Sequence, residues 1–156
     1  MVVIFAKVKE ISLAQYLGVL VQSVVHGSMD KNNTTFGFER LEVWQKAKEL
    51  ATHIYQITKT WPIEEKYGLI SQTTRAAVSV SANIAEGSAR FTKKEKKRFY
   101  EIAFGSNIEV INHLIIAGEL NFCSEHEVNI IRLKGMEISK MLSGLIKNCQ
   151  EYNPIP

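Results

Sequence analysis

The chain has 156 residues, of which 46% are hydrophobic, so it is long enough for one domain with a buried core. It contains only 3 prolines and 9 glycines, which favours helices over a protein of strands and turns. The formal net charge of +3 is too small to indicate a nucleic-acid binder by itself. The two cysteines, Cys123 and Cys149, lie near opposite ends of the last predicted helix, too far apart for a disulfide. This cysteine usage is typical of a cytoplasmic protein, and we expect that location.

Residues 1–28 differ in composition from the rest of the chain, and no formal charge occurs between Ile11 and Met29. Three interpretations remain open: a leader extraneous to the protein, a signal peptide or membrane anchor, and an accessory helix. The Gly27-Ser28-Met29 junction and the abrupt change in composition favour the extraneous leader. No membrane contact is expected unless residues 1–28 are a genuine anchor. We expect a polar linker at 29–35, the folded domain at 36–149 and a frayed tail at 150–156.

Four helices are predicted from Phe36 onward, because apolar residues recur at alternating steps of three and four. The first runs from about Glu39 to Thr60 and ends at Trp61-Pro62, since proline disfavours helical geometry in the residue before it. Its apolar stripe consists of Trp44, Ala47, Ala51, Ile54, Thr58 and Trp61. Pro62, Glu64 and Glu65 suit the first turn of the second helix.

The second helix, from Ser71 to Arg90, is expected to pack on two sides, with Gly87 as its C-terminal cap. Its core stripe consists of Ile70, Thr73, Ala77, Val80 and Ile84. The opposite face has small and amide side chains and only two charges: Ser71, Gln72, Arg75, Ser79, Ala82, Asn83 and Glu86. Small residues let another backbone approach closely, so we interpret this face as a contact with a neighbouring subunit. A weakly charged solvent face is the alternative.

The third and fourth helices begin at capping boxes, Thr92 with Glu95 and Ser124 with Glu127. The third is apolar around much of its circumference, which indicates burial from more than one direction. Its apolar residues are Phe104, Ile108, Ile111, Ile115 and Phe122, then Ala103, Val110, Leu114 and Ala117, and on the far side Ile102, Ile116 and Leu120. The fourth runs to about Asn148 with a core line of Ile131, Ile138, Leu142 and Leu145. Short connections make neighbouring helices antiparallel, so we predict an all-α, up-down-up-down four-helix bundle.

Three motifs together resemble one known family. They are an L-x-V-W-x-K-A opening (Leu41, Val43, Trp44, Lys46, Ala47), an N-I-A-E-G core (Asn83 to Gly87) and a G-S-x-x-E element (Gly105, Ser106, Glu109). From about Phe36 to Cys149 the chain resembles the four-helix-bundle family named for the 23S rRNA intervening sequence. That family is similar to the accessory variability protein of diversity-generating retroelements, a five-fold barrel of bundles that binds RNA and a reverse transcriptase. The resemblance implies a ring-shaped homopentamer and no enzymatic activity, and residues 1–28 have no counterpart in it.

Six polar residues, which we call the polar set, match characteristic positions of that family: Arg75, Ser79, Asn83, Glu86, Ser106 and Glu109. We expect the polar set to form a buried or interfacial hydrogen-bond network rather than an active site. Removing one partner of a buried charged pair strands the other charge. Glu86→Ala is therefore expected to lower the melting temperature or the order of the oligomer.

Nothing in the sequence indicates an enzyme. Glu49 with His53 and Glu109 with His113 stand four residues apart, a spacing that can share a metal ion. Neither pair has a third clustered carboxylate, and the Glu-x-x-His signature of di-iron bundles is absent. The sequence has no glycine-rich phosphate loop, no nucleophile elbow and no zinc spacing. We therefore expect no catalytic residue, no metal and no cofactor.

The best candidate for binding is a basic cluster at the start of the third helix, formed by Arg90, Lys93, Lys94, Lys96, Lys97 and Arg98. Positive charges at a helix N terminus interact unfavourably with the helix dipole, so the cluster lowers local stability. This cost favours a functional role for the cluster. Repeated around a ring, the cluster would attract phosphates in a salt-dependent way. We expect a homo-oligomer, with a pentamer as the first choice, that contacts RNA or nucleoprotein through the basic cluster. The alternative is an oligomeric scaffold or adaptor that binds a protein partner and no nucleic acid.

Overall fold

The structure is a computed structural model that describes residues 35–149, and within this range every regular element is helical. The four α-helices are α1 (Glu42–Ile57), α2 (Leu69–Ser88), α3 (Lys93–Glu119) and α4 (Glu125–Asn148). Short 3-10 helices cover Gly37–Arg40, Thr58–Thr60 and Ile63–Lys66. No helix of residues 35–149 is both long and apolar enough to cross a membrane. The expected leader at 1–28, the linker except Thr35, and the tail at 150–156 lie outside the described residues.

The four helices pack as an antiparallel bundle. Helix α1 packs against α2 and α4, and α3 packs against the same two helices. The hydroxyls of Ser79 on α2 and Ser106 on α3 lie 2.9 Å apart, while Gly87, near the end of α2, faces Tyr100, near the start of α3. Helices α3 and α4 are also antiparallel, since Asn107 contacts Ser139 whereas Gly118, later on α3, faces Val128, earlier on α4. The predicted four-helix, all-α fold is therefore confirmed.

The core lies between the helices and follows the predicted stripes closely. On α2, Thr73, Ala77, Val80 and Ile84 are all fully buried, and Ile70 is half-buried. The large apolar side chains that are fully buried are Leu50, Ile54, Val80, Ile84, Val110, Leu114, Ile131, Ile138 and Leu142. Burying each such side chain stabilises the fold by roughly 1.5–3 kcal/mol before the entropy of ordering is counted. On α1 the buried face is wider than predicted, because Val43, Leu50 and Ile57 lie beside the expected stripe.

Helix α2 begins two residues before the predicted Ser71, but the first turn assigned to it was wrong. Pro62, Glu64 and Glu65 do not form its first turn, because the chain makes a 3-10 helix and a turn there before α2 begins at Leu69. Gly68 precedes α2 with non-helical angles (φ −98°, ψ −120°), which separates the two helical segments. Glu65 still serves the end of α2, since its carboxylate accepts a hydrogen bond from the backbone N–H of Leu69 at 2.8 Å.

The predicted role of Gly87 was also wrong. Helix α2 continues through Gly87 to Ser88, and the backbone of Gly87 does not have a positive φ. A Cβ placed on Gly87 would lie 2.8 Å from Cε1 of Tyr100 and 3.0 Å from Cβ of Phe99. Gly87 is buried, so it serves close packing of α2 against α3 rather than capping.

The junction between α3 and α4 is fixed by hydrogen bonds at both helix ends. Asn121 adopts the left-handed conformation (φ 59°), and the N–H of Phe122 donates to the carbonyl of Ala117 at 2.8 Å, as in a Schellman C-cap. Helix α4 then begins with the predicted capping box of Ser124 and Glu127, which is confirmed. Hydrogen bonds from the side chain and backbone of Ser124 hold the pKa of the Glu127 carboxyl below its ordinary value.

Candidate nucleic-acid interface

The basic cluster lies where α2 ends and α3 begins. Arg90 follows α2 by two positions, and the other five bases lie within the first six residues of α3. Thr92 begins α3, because its hydroxyl accepts a hydrogen bond from the backbone N–H of Glu95 at 3.2 Å and donates to the Glu95 carboxylate at 2.7 Å. The hydroxyl hydrogen bond lowers the pKa of Glu95, because it stabilises the ionised form of this carboxyl.

The six bases differ in how freely they can meet a ligand. Arg90 is held within the chain, with its guanidinium 3.3 Å from the Glu86 carboxylate and 4.4 Å from the ring centroid of Phe99. Lys97 lies 3.6 Å from the carboxylate of Glu101, one helical turn away. Within residues 35–149, the exposed bases of the cluster without a salt bridge are Lys93, Lys94 and Arg98, while Lys96 is half-buried and also lacks one.

The positive charge of the chain is concentrated in this region. Residues 86–101 contain six bases and three acids, a net charge of +3, and the whole chain also has a net charge of +3. The rest of the sequence is therefore neutral on balance. A localised field of this kind attracts anionic ligands more strongly than the same charge spread over the surface.

Phe91 is the aromatic residue of this region that the sequence did not single out. It lies in the loop between Arg90 and Thr92, and its side chain is 100% exposed. The other two aromatic residues nearby pack against the protein: Tyr100 is buried and Phe99 lies under the Arg90 guanidinium. All three aromatic residues lie near the bases along the chain, but the sequence alone does not indicate which ring faces solvent.

The polar set is only partly brought together within one chain. Ser79 and Ser106 share a hydrogen bond, and Nδ2 of Asn83 donates to the Ser79 hydroxyl at 3.0 Å and to the Ser79 carbonyl at 2.8 Å. This group of three ties α2 to α3. Glu86 is exposed and pairs with Arg90. Arg75 and Glu109 are exposed and make no ion pair within residues 35–149.

A buried polar contact between α3 and α4 was not predicted. Asn107 is fully buried, and its Nδ2 donates to the carbonyl of Gly135 at 2.8 Å and to the hydroxyl of Ser139 at 2.9 Å. Its Oδ1 has no partner among the described residues. Gly135 allows the close approach, because a Cβ there would lie 2.7 Å from Cδ1 of Ile111. The only sequence signal was the position of Asn107 beside the apolar line of α3.

The outward face of α3 is unusually apolar for a surface helix. Five large aliphatic side chains on this helix and its end are 40–51% exposed: Ile102, Ile108, Ile115, Ile116 and Leu120. The predicted line that includes Ile108 and Ile115 is therefore only partly core, since Phe104 and Phe122 pack against the core whereas these two isoleucines are exposed. The fully buried line is the neighbouring one through Ala103, Val110, Leu114 and Ala117. Gly105 lies on the same outward face, with open space where its Cβ would be.

Two kinds of chemical site would use the His, Cys, Asp and Glu side chains of the described residues: a metal site and an activated thiol. Within residues 35–149, no group of three or more His, Cys, Asp and Glu side chains could hold a metal ion. Cys123 and Cys149 are free and half-buried. Burial raises the pKa of the Cys123 thiol, the direction opposite to that of an activated nucleophile.

Comparison with known proteins gives the family of this fold. The family model described as 23S rRNA-intervening sequence protein matches residues 39–144. The chain belongs to this family. Five chains of solved structures also match, among them a protein of unknown function from the S23 ribosomal protein family of Bacteroides thetaiotaomicron. This crystal structure is 24% identical in sequence, has a TM-score of 0.63, and the match covers 67% of our chain and 98% of the other. No curated protein matches the chain.

Proposed function

We propose that this member of the 23S rRNA-intervening sequence protein family is a non-enzymatic oligomer that contacts RNA or nucleoprotein through its basic cluster. The observation that carries the proposal is the concentration of the chain's net positive charge in residues 86–101. Lys93, Lys94 and Arg98 are exposed there and are not neutralised by a salt bridge among the described residues. Nucleic-acid phosphates are bound mainly by such cations, which release counterions from the backbone.

Charge reversal at the cluster tests phosphate binding. Each Lys→Glu change alters the charge by two units, so reversing Lys93, Lys94, Lys96 and Lys97 alters it by eight units per subunit. Binding of single-stranded RNA should fall with salt at a log-log slope of roughly −0.7 per neutralised phosphate, and the reversed variant should not bind.

The matched control reverses four bases outside the cluster: Lys48, Lys59, Lys66 and Arg132. This variant has the same net charge as the first, so the loss of binding by both would show that only overall charge matters. If the unmodified protein fails to bind RNA at ~50 mM salt, where phosphate contacts are strongest, the proposal is refuted.

Assembly into a homo-oligomer, a ring of five as the first choice, is the second part of the proposal. It is supported by the exposed aliphatic side chains on the outward face of α3, since a lone bundle would leave them in water. The outward face of α2 is compatible with close approach, because it includes Ser71 and Ala82. A second copy would cover both faces, and repetition of the basic cluster around a ring would enlarge the positive surface.

Light scattering coupled to size exclusion measures the oligomeric state of the full chain. Ile108→Lys should reduce the oligomer order, because it places a charge on the outward face of α3. Ile63→Lys is the control, since Ile63 is even more exposed (73%) but lies in the 3-10 helix before α2. A monodisperse monomer of the unmodified protein at micromolar concentration would rule out the assembly.

A scaffold that binds a protein partner is the second candidate, and the same apolar face of α3 favours it. A helix of a partner protein could cover Ile108 and Ile115, just as a second copy of this chain could. This candidate takes first place if the protein is oligomeric but retains no RNA at low salt, and if a co-purifying protein is lost in the Ile108→Lys variant.

A further inference from the structure

Phe91 is presented to solvent by a loop that is fixed on both sides. Before it, Arg90 is held by the Glu86 carboxylate and the Phe99 ring, and its N–H donates to the carbonyl of Gly87 at 3.2 Å. After it, Thr92 is the N-cap of α3. The Phe91 side chain is nevertheless 100% exposed. A large aromatic ring in water is unfavourable, so a ligand that covered the Phe91 ring would gain the free energy of its burial.

The surroundings of Phe91 indicate the chemistry of this ligand. Lys93 and Lys94, two and three residues along the chain, are exposed and unpaired within residues 35–149. The nearby acid Glu95 does not pair with these lysines within residues 35–149, and its carboxylate accepts a hydrogen bond from Thr92 instead. An aromatic face beside free cations is the combination that binds single-stranded nucleic acids, where the ring stacks on a base and the cations bind the flanking phosphates.

We propose that Phe91 stacks on an unpaired base, so that the basic cluster selects single-stranded over double-stranded nucleic acid. The bases of a duplex are stacked on one another and offer no free face to a protein side chain, whereas the bases of a single strand do. The shared chemistry of the ligand is an unpaired base flanked by phosphates, in RNA or in DNA. This inference rests on the proposed function, because it assigns a preference to the same site.

The test compares wild type with Phe91→Ala by fluorescence anisotropy at low salt. The probes are a labelled oligouridine single strand, the DNA strand oligothymidine of the same length, and an RNA duplex of the same length. Stacking of one base is worth enough that Phe91→Ala should weaken single-strand binding about 5- to 150-fold. Duplex binding, which depends on phosphates alone, should change less than about twofold.

Two further variants sharpen the result. Phe91→Trp should restore single-strand binding and show quenching of the new indole by the bound base, beyond any change from the native Trp44 and Trp61. Tyr67→Ala is the matched control, because Tyr67 is 86% exposed but lies in the turn before α2, away from the basic cluster. It should leave all three affinities unchanged.

The outcomes separate this inference from the proposed function. If the four-lysine reversal abolishes RNA binding but Phe91→Ala changes neither affinity, the stacking inference is overturned and phosphate binding stands. Equal weakening of single-strand and duplex binding also overturns it. If wild type binds none of the three probes, both ideas fail. Phe91-dependent binding of either single strand supports stacking, and the RNA and DNA arms show which strand is preferred.

Discussion

Replacing Gly87 with alanine is the sharpest test of how α2 packs against α3. In a helix interior the change from glycine to alanine normally stabilises by about 1 kcal/mol, because glycine loses more backbone freedom on folding. At Gly87 the added Cβ would lie 2.8 Å from Cε1 and 3.0 Å from Cδ1 of Tyr100. Tyr100 is only 5% exposed, so its ring cannot move aside freely.

The magnitude follows from these two opposing effects. Forcing an extra methyl group into a packed contact typically costs about 1–3 kcal/mol. After the propensity gain of about 1 kcal/mol, Gly87→Ala should be between neutral and about 2 kcal/mol less stable than wild type. Gly144→Ala is the matched control, because Gly144 is also in a helix but has open space around its Cβ position. It should be up to about 1 kcal/mol more stable than wild type.

Urea denaturation followed by circular dichroism measures both variants, at one protomer concentration because assembly would couple to stability. The two alanine variants should differ by about 1–3 kcal/mol, or roughly 4–12 °C in melting temperature for a domain of this size. In a Tyr100→Ala background the penalty at Gly87 should shrink, since the ring that it meets is gone. Equal stability of Gly87→Ala and Gly144→Ala would refute the close-packing role of Gly87.

Three further predictions concern other polar contacts. Asn107→Asp should lower the free energy of unfolding by about 3 kcal/mol or more at pH 7, because it places an unpaired carboxylate in the core. Part of this loss should be recovered at pH 4, since burial raises the pKa of the new acid. Urea midpoints at the two pH values test this expectation. Glu127→Gln should be less stable than wild type at pH 7. The difference should vanish as the pH falls through the lowered pKa of Glu127, because a carboxyl with a lowered pKa stabilises the fold only while it is ionised. Parallel thermal melts from pH 7 to pH 3 test this expectation. Glu86→Ala removes an exposed pair with Arg90 that is worth less than about 1 kcal/mol within one chain. A sharp fall in oligomer order, measured by light scattering, would therefore place the polar set in a subunit interface. No change in oligomer order or melting temperature would contradict that placement.

Periodicity and capping were sufficient to predict the fold. Thr73, Ala77, Val80 and Ile84 recur at steps of three and four, and all four are fully buried. Such a pattern is read along a single helix, so it needs no knowledge of the partner helices. The capping box at the start of α4 is equally local, since Ser124 and Glu127 are three residues apart.

The errors and omissions have a common physical cause, which is that they depend on contacts distant in sequence. Gly87 was interpreted as a cap because glycine often ends helices, but its neighbour in space is Tyr100, 13 residues later. The position of Asn107 beside the apolar line of α3 did not indicate its contacts, because its partners Gly135 and Ser139 lie on the next helix. A polar residue in a helix is usually solvated, and only the packed structure reveals the exception.

The excess of isoleucines on α3 shows the other limit of periodicity. An apolar stripe reports that a face is buried, but it does not distinguish burial within one chain from burial against another molecule. The structure shows which part of this pattern is buried within one chain, because Val110 and Leu114 are buried whereas Ile108 and Ile115 are 47% and 40% exposed. The exposed pair is therefore the part of the pattern that the fold of a single chain does not explain.

Gly105 leads to the same face by a separate route. A glycine in the middle of an exposed helix costs about 1 kcal/mol relative to alanine, unless close packing offsets it. At Gly87 and Gly135 the structure supplies that packing, since a Cβ at either position would collide with a neighbouring helix. At Gly105, as at Gly144, there is only open space, but Gly105 also has the exposed Ile108 one turn further along the same helix. The cost of a glycine at position 105 and the exposure of Ile108 would both be offset if another backbone packed on this side of α3. The proposed assembly requires such a contact.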